Sequence, residues 1–137
     1  MTGVQTCALP ILDQARRLLL DRRAKDGGWN YGNPRIFGQE LPSVPAPTAW
    51  ALLALQALGQ PLPDALPVLK ERAQEAPGSL SLAMAAIATQ KLGGDATPLL
   101  EPLWERMGTD GLRGRVDWTA LAVTALAMQQ EKFHAFG

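Results

Sequence analysis

Two kinds of segment alternate along the chain, and they differ in where their polar residues fall. In the first kind, charged side chains lie on one side of a helical period and Leu, Val or Trp on the other, which predicts amphipathic helices with one face in solvent. These segments are residues 12–25, 63–75 and 98–107. The second kind is rich in Ala and Leu and apolar nearly all round, so we expect helices buried on most sides. These segments are residues 48–59, 82–93 and 119–127. We find no strand pattern, and the predicted fold class is all-α.

The apolar segments are copies of one another. The first and second match at an offset of 34 residues, at Ala49/Ala83, Ala51/Ala85, Ala54/Ala88, Gln56/Gln90, Leu58/Leu92 and Gly59/Gly93. The first and third match at an offset of 71, at Thr48/Thr119, Ala49/Ala120, Ala51/Ala122, Ala54/Ala125 and Leu55/Leu126. The alternation therefore predicts three αα-hairpins whose stacking buries the apolar inner helices. We expect Gly59 and Gly93 to cap their helices and Gln56 and Gln90 to bond loop backbone.

The first residues, MTGVQTCALPI, differ from the rest of the chain in carrying no charge. Residues 2–11 match the translation of a common sequencing-library adapter, so we interpret residues 1–11 as non-native and 12–137 as the folded unit. Setting Cys7 aside leaves no cysteine. We expect native chain to be missing, so the compartment is not assigned.

Composition excludes several classes of protein. The 13 basic and 13 acidic residues balance and are interspersed, which argues against a nucleic-acid binder built on bulk charge. Every apolar run is shorter than the roughly 20 residues that a membrane span needs. The one histidine has no plausible partners, so we predict no metal and no cofactor.

The longest irregular segment, residues 26–47, holds Trp29, Tyr31 and Phe37. Loops of this length are usually functional or disordered, and the aromatic residues argue against disorder. In one interpretation Trp29 and Tyr31 fasten the loop over the outer helices. In the other they form an aromatic wall that binds an apolar ligand or stabilises a cation.

A second candidate site opens the third inner helix, at Arg115, Asp117 and Trp118. Asp117 either interacts with the amides of the first helical turn or, beside Trp118 in an apolar cavity, has a raised pKa and acts as a general acid. Arg35 and Arg115 precede inner helices. They are either solvated or line an anion-binding rim beside helix N-termini.

The segments DGGWNYGNP, PTAWALLALQALG and VDWTALAVTALA resemble the prenyltransferase/squalene-cyclase repeat superfamily. Gly27-Gly28-Trp29 matches the G-x-W end of the cyclase repeat. Asp117, Thr119 and Ala120 align with the cyclases' acidic motif, with Trp118 and Arg115 in place of its other polar residues. The resemblance implies an α/α toroid, of which three hairpins form a half-ring, and gives Asp117 as the candidate proton donor.

From these observations we expect a repeat protein with an apolar cavity for an isoprenoid-type ligand and possible terpenoid cyclase activity. Asp117 would protonate an alkene or epoxide, and Trp29, Tyr31 and Trp118 would stabilise carbocations, with Arg35 and Arg115 at the rim. The alternative is a non-catalytic toroid or solenoid scaffold that binds a protein or lipid through its rim loops. A half-ring leaves apolar edges open, so we expect further hairpins of the same chain, or a second copy, to close it.

Overall fold

The computed structural model describes residues 2–75, 78–110 and 114–135, and almost all of its regular structure is helical. The helices are α1 (Thr2–Asp21), α2 (Pro45–Ala57), α3 (Leu66–Glu75), α4 (Ser79–Lys91), α5 (Thr97–Asp110) and α6 (Val116–Ala135), with a 3-10 turn at Pro63–Ala65. The predicted all-α class is confirmed. The side chains of the first eight residues, Cys7 among them, lie outside the description.

The helices pack in two rows. In the inner row α4 lies between α2 and α6, while in the outer row α3 packs on α2 and α4, α5 packs on α4 and α6, and α1 contacts α2. Two hydrogen bonds fix the direction of the inner row. Gln56 Nε2 donates to the carbonyl of Lys91 at 2.9 Å, and Gln90 Nε2 donates to the carbonyl of Ala125 at 3.0 Å. Each bond joins repeat positions from the same part of neighbouring helices, so the inner helices run parallel.

The core lies where the two rows meet. Its largest fully buried hydrophobic side chains are Leu52, Leu55, Leu69, Leu82, Leu99 and Leu103. The inner helix α4 is enclosed, with every residue from 82 to 90 buried. Its neighbours are less completely covered, since Trp50 on α2 is 49% exposed and Val123 on α6 is 51% exposed. Within the described residues only α4 has an inner helix on both flanks.

Glycines end two of the inner helices as the sequence predicts. Gly59 and Gly93 have φ of +77° and +80°, the left-handed conformation that glycine adopts without a steric penalty. The next amide in each case, that of Gln60 or Gly94, donates back to the helix, to Leu55 or Thr89. Helix α2 begins at Pro45, three residues earlier than predicted, since proline is tolerated in a first turn.

The absence of strands was a wrong prediction for one short segment. Strands β1 (Arg35–Ile36) and β2 (Gln39–Glu40) form an antiparallel hairpin inside the long loop. Phe37 and Gly38 make its two-residue turn, with φ of +49° and +78°. Strands of two residues are too short for hydrophobic alternation, and phenylalanine replaces the usual asparagine in such a turn, so the pattern gave no signal.

Candidate functional site

Asp117 lies at the N-terminus of α6, where it forms an ion pair with Arg115. Arg115 donates from Nε to Oδ1 of Asp117 at 2.9 Å and from Nη2 to Oδ2 at 2.6 Å. The guanidinium carbon of Arg115 also lies 4.6 Å from the centroid of the Trp118 ring, within cation–π range. The structure thus brings together three of the predicted site residues.

The electrostatics of this cluster differ from the expectation of a raised pKa. The side chain of Asp117 is 59% exposed. Hydrogen bonding from Arg115, supported by the backbone amide of Trp118, holds the pKa of Asp117 below its ordinary value. A raised pKa would require Asp117 to lie in an apolar environment without a charged partner. The guanidinium of Arg115 is such a partner, and it favours the ionised carboxylate. In this geometry Asp117 has the properties of an ionised carboxylate at a helix N-terminus.

Trp29 is enclosed and fastens the long loop to two helices, as the packing interpretation predicts. Its side chain is 3% exposed, and its Nε1 donates to the carbonyl of Leu19 at 2.6 Å. Its backbone amide donates to Oγ1 of Thr48 at 3.0 Å, and that hydroxyl donates to the carbonyl of Val44. The ring therefore has no free surface for a ligand.

Tyr31 and Arg35 lie apart from Trp29, on the solvent side of the loop. Tyr31 is exposed and does not fasten the loop, contrary to the packing interpretation. Arg35 forms an ion pair with Glu40 across the β1–β2 hairpin, at 2.8 Å. Among the predicted site residues in the described part of the chain, hydrogen bonds and a cation–π contact join Arg115, Asp117 and Trp118.

A charged network that the sequence reasoning missed centres on Asp26. Its Oδ2 accepts hydrogen bonds from the amide and hydroxyl of Ser43, both at 2.9 Å, and from Nη2 of Arg72 at 3.1 Å. Its Oδ1 accepts from the amide of Gly28 at 3.1 Å. Partial burial raises the pKa of Asp26, but these bonds outweigh it, so the net pKa lies below the ordinary value. The network ties the loop to α3 and is structural.

An apolar groove lies between α5 and α6, with a volume of about 660 Å³. Its lining residues are Thr97, Leu100, Glu101, Trp104, Leu126, Gln129 and Gln130. Trp104 is 66% exposed, an unusual exposure for a ring of that size. The amphipathic pattern predicts Trp104 on the apolar side of α5, away from solvent, and the structure corrects this prediction. Among the described residues of the lining, Glu101 is the one that carries a charge.

Among the described residues, no cluster of His, Cys, Asp or Glu could hold a metal ion. None of the helices in that part of the chain combines the length and hydropathy required to cross a bilayer. Comparisons with protein-family models, with curated proteins and with solved structures gave no match to this chain.

Proposed function

We propose that this chain is a helical-hairpin repeat of the prenyltransferase/squalene-cyclase type, arranged as half of an α/α toroid, and that it binds an isoprenoid-type ligand without catalysis. The parallel inner row and the outer helices on one side of it support the toroid. The glutamine bond that recurs from α2 to α4 and from α4 to α6 supports a repeated hairpin as the building unit.

The observation that carries the ligand class is the groove between α5 and α6. Leu100, Trp104 and Leu126 offer it apolar contact, and about 660 Å³ lies within the usual range for small-molecule sites. Because Glu101 is the one charged residue among the described lining residues, we favour a neutral isoprenoid alcohol over a prenyl diphosphate. Gln129 and Gln130 supply amides that can bond a hydroxyl group.

Calorimetric titration with farnesol, a C15 isoprenoid alcohol, tests this proposal. We expect saturable binding that weakens about tenfold in Trp104→Ala, since the ring supplies apolar area worth about 1.4 kcal/mol. Tyr31→Ala removes an exposed aromatic residue outside the groove and serves as the matched control. Farnesyl diphosphate should bind more weakly than farnesol. Equal affinity of wild type and Trp104→Ala would contradict the assignment.

Cyclase activity is the competing function, and the state of Asp117 argues against it. A carboxylate that is exposed, bound to Arg115 and lowered in pKa is a poor proton donor to an alkene. We therefore expect squalene to be recovered unchanged after incubation with wild type. Conversion by wild type but not by Asp117→Asn, followed by gas chromatography, would replace the binding proposal with a cyclase.

A further inference from the structure

The long loop begins with an aspartyl-glycine pair, Asp26–Gly27. Because glycine has no Cβ, its backbone nitrogen is unhindered and can attack the carboxyl carbon of a preceding aspartate. In a flexible chain this attack gives a five-membered succinimide ring, which water opens to isoaspartate. The sequence holds one other such pair, Asp110–Gly111, of which Gly111 lies outside the described residues.

The folded turn holds the attacking nitrogen in a hydrogen bond. The amide of Gly27 donates to the carbonyl of Ala24 at 2.9 Å, and the amide of Ala24 donates to the carbonyl of Gly28 at 2.8 Å. Nε of Arg23 donates to the carbonyl of Gly27, also at 2.8 Å. These bonds fix the backbone on both sides of the Gly27 nitrogen, so it keeps its proton and its direction.

The carboxyl group that would be attacked is held at both oxygens. Oδ1 of Asp26 accepts from the amide of Gly28, and Oδ2 accepts from Ser43 and from Arg72. Attack at Cγ requires this group to rotate toward the nitrogen of Gly27, which breaks these bonds. The ion pair with Arg72 also keeps the group as a carboxylate, whose oxygen is a poorer leaving group than the hydroxyl of the neutral acid.

Access of water does not protect this pair. The side chain of Asp26 is 25% exposed, and it borders a surface cavity of about 340 Å³ that Lys25, Glu40 and Arg72 also line. Water can therefore reach the succinimide that the second step opens. The hydrogen bonds of the turn and of the carboxylate limit the reaction instead, and they break together when this part of the loop opens.

We propose that Asp26–Gly27 is a site of isoaspartate formation that the closed loop suppresses and local opening exposes. In the open loop the nitrogen of Gly27 bonds to Cγ of Asp26. The nitrogen gives up its proton and the neutral carboxyl group its hydroxyl, and these leave together as water. A second water then adds to the backbone carbonyl carbon of Asp26 and breaks the bond from that carbon to nitrogen. One water is lost and one gained, so the mass is unchanged.

The product does not fit the closed loop. Its backbone runs through Cβ and Cγ of residue 26 and is one carbon longer, and its free carboxylate is attached to Cα. The donors of Gly28, Ser43 and Arg72 therefore lose the acceptor that they meet in the folded turn. A modified molecule cannot re-form this network, so modification records that the loop has opened. This inference is independent of the groove between α5 and α6 and of its ligand.

Incubation of the full 137-residue chain at mildly acidic pH, folded or in urea, tests the proposal. Endoproteinase Asp-N cleaves before aspartate but not before isoaspartate, so resistance at residue 26 with unchanged peptide mass measures conversion. We expect conversion in the folded protein to be slower than in urea by at least about tenfold. In urea, Asp26–Gly27 and Asp110–Gly111 should convert at similar rates.

Two substitutions weaken the network, and circular dichroism verifies that each variant is folded. Arg72→Ala should raise conversion at residue 26 about tenfold, because loss of a hydrogen bond to a charged group raises the open population by about that factor. Ser43→Ala removes the hydroxyl donor and should give a smaller rise. Arg22→Ala, which removes an exposed arginine outside the network, should convert like wild type.

Equal conversion of the folded protein and of the chain in urea would overturn the proposal. So would folded Arg72→Ala or folded Ser43→Ala that converts no faster than Arg22→Ala.

Discussion

Replacing Asp26 by asparagine tests the charged network that joins the long loop to α3. The carboxylate accepts from the amides of Gly28 and Ser43, from the hydroxyl of Ser43 and from Arg72. Asparagine has nearly the same shape but only one acceptor oxygen, and its amide group turns a donor toward groups that also donate. The substitution therefore removes the negative charge that strengthens these hydrogen bonds. It also places an N–H donor of asparagine against another donor, where no hydrogen bond can form.

The magnitude follows from the bonds and their exposure. A hydrogen bond to a charged group contributes about 1.5–3 kcal/mol in net stability, and bonds in one network do not add in full. The side chains of Asp26 and Arg72 are 25% and 31% exposed, so solvent screens part of the interaction. We expect Asp26→Asn to lower the free energy of unfolding by about 2 kcal/mol at neutral pH.

The effect depends on pH with a definite sign. The pKa of Asp26 is lower in the folded protein than in the unfolded chain, where it is about 3.9. Its contribution is complete above the unfolded pKa and is lost as the pH falls through the folded pKa. The difference between wild type and Asp26→Asn should therefore be constant from pH 7 to about pH 5 and shrink toward about pH 3.

Urea unfolding followed by circular dichroism at these pH values measures the difference. Asp21→Asn is the matched control, because the Asp21 side chain is 81% exposed and lies 4.0 Å from Arg22, its ion-pair partner. We expect that control to change stability by less than about 0.5 kcal/mol. The reasoning fails if Asp26→Asn is no more destabilising than Asp21→Asn, or if its effect is unchanged at about pH 3.

Three further substitutions probe the fold, each followed by thermal or urea unfolding. Gly28→Ala should destabilise by about 1–3 kcal/mol, because its Cβ would lie 2.5 Å from Ser43 Cβ, whereas Gly32→Ala has open space and should be neutral. Phe37→Asn should raise the melting temperature, since asparagine tolerates the positive φ of this turn and the exposed ring loses no packing; a lower melting temperature would contradict this reasoning. Leu82→Ala should lower the free energy of unfolding by about 2–5 kcal/mol, because Leu82 is fully buried. An equal loss of stability in Leu18→Ala, at an exposed position, would contradict this explanation.

The helices and their repetition were predictable because they depend on local pattern. Ala- and Leu-rich segments identified the inner helices, and the offset of 34 residues identified Gln56 and Gln90 as equivalent. Their partners were predicted less well. Each amide bonds the backbone of the next inner helix, 35 residues further on, rather than a loop. A spacing along one helix gives a direction for the side chain but not the identity of the neighbour it meets.

The candidate site was predicted only in part because it depends on contacts distant in sequence. Asp26 meets Ser43 and Arg72 at separations of 17 and 46 residues, which no local pattern reports. At Asp117 the residue that decides the pKa is close in sequence. Arg115 stands two residues earlier, and its side chain forms an ion pair with Asp117. A lysine or arginine beside a proposed general acid is a signal that the pKa falls rather than rises.

The repeated glutamine explains how an interior of small residues keeps one register. Ala83 and Ala86 put small side chains on the same side of α4 as Gln90, so a neighbour could slide there with little change in apolar burial. Gln90 is 5% exposed, and its donor bonds Ala125 while its Oε1 has no hydrogen-bond partner within the described part of the chain. Burying an unpaired acceptor opposes folding, so the amide contributes little net stability. If α6 moved by one turn along α4, the Nε2 donor of Gln90 would also lose its hydrogen-bond partner. This additional cost favours a single alignment of α4 and α6.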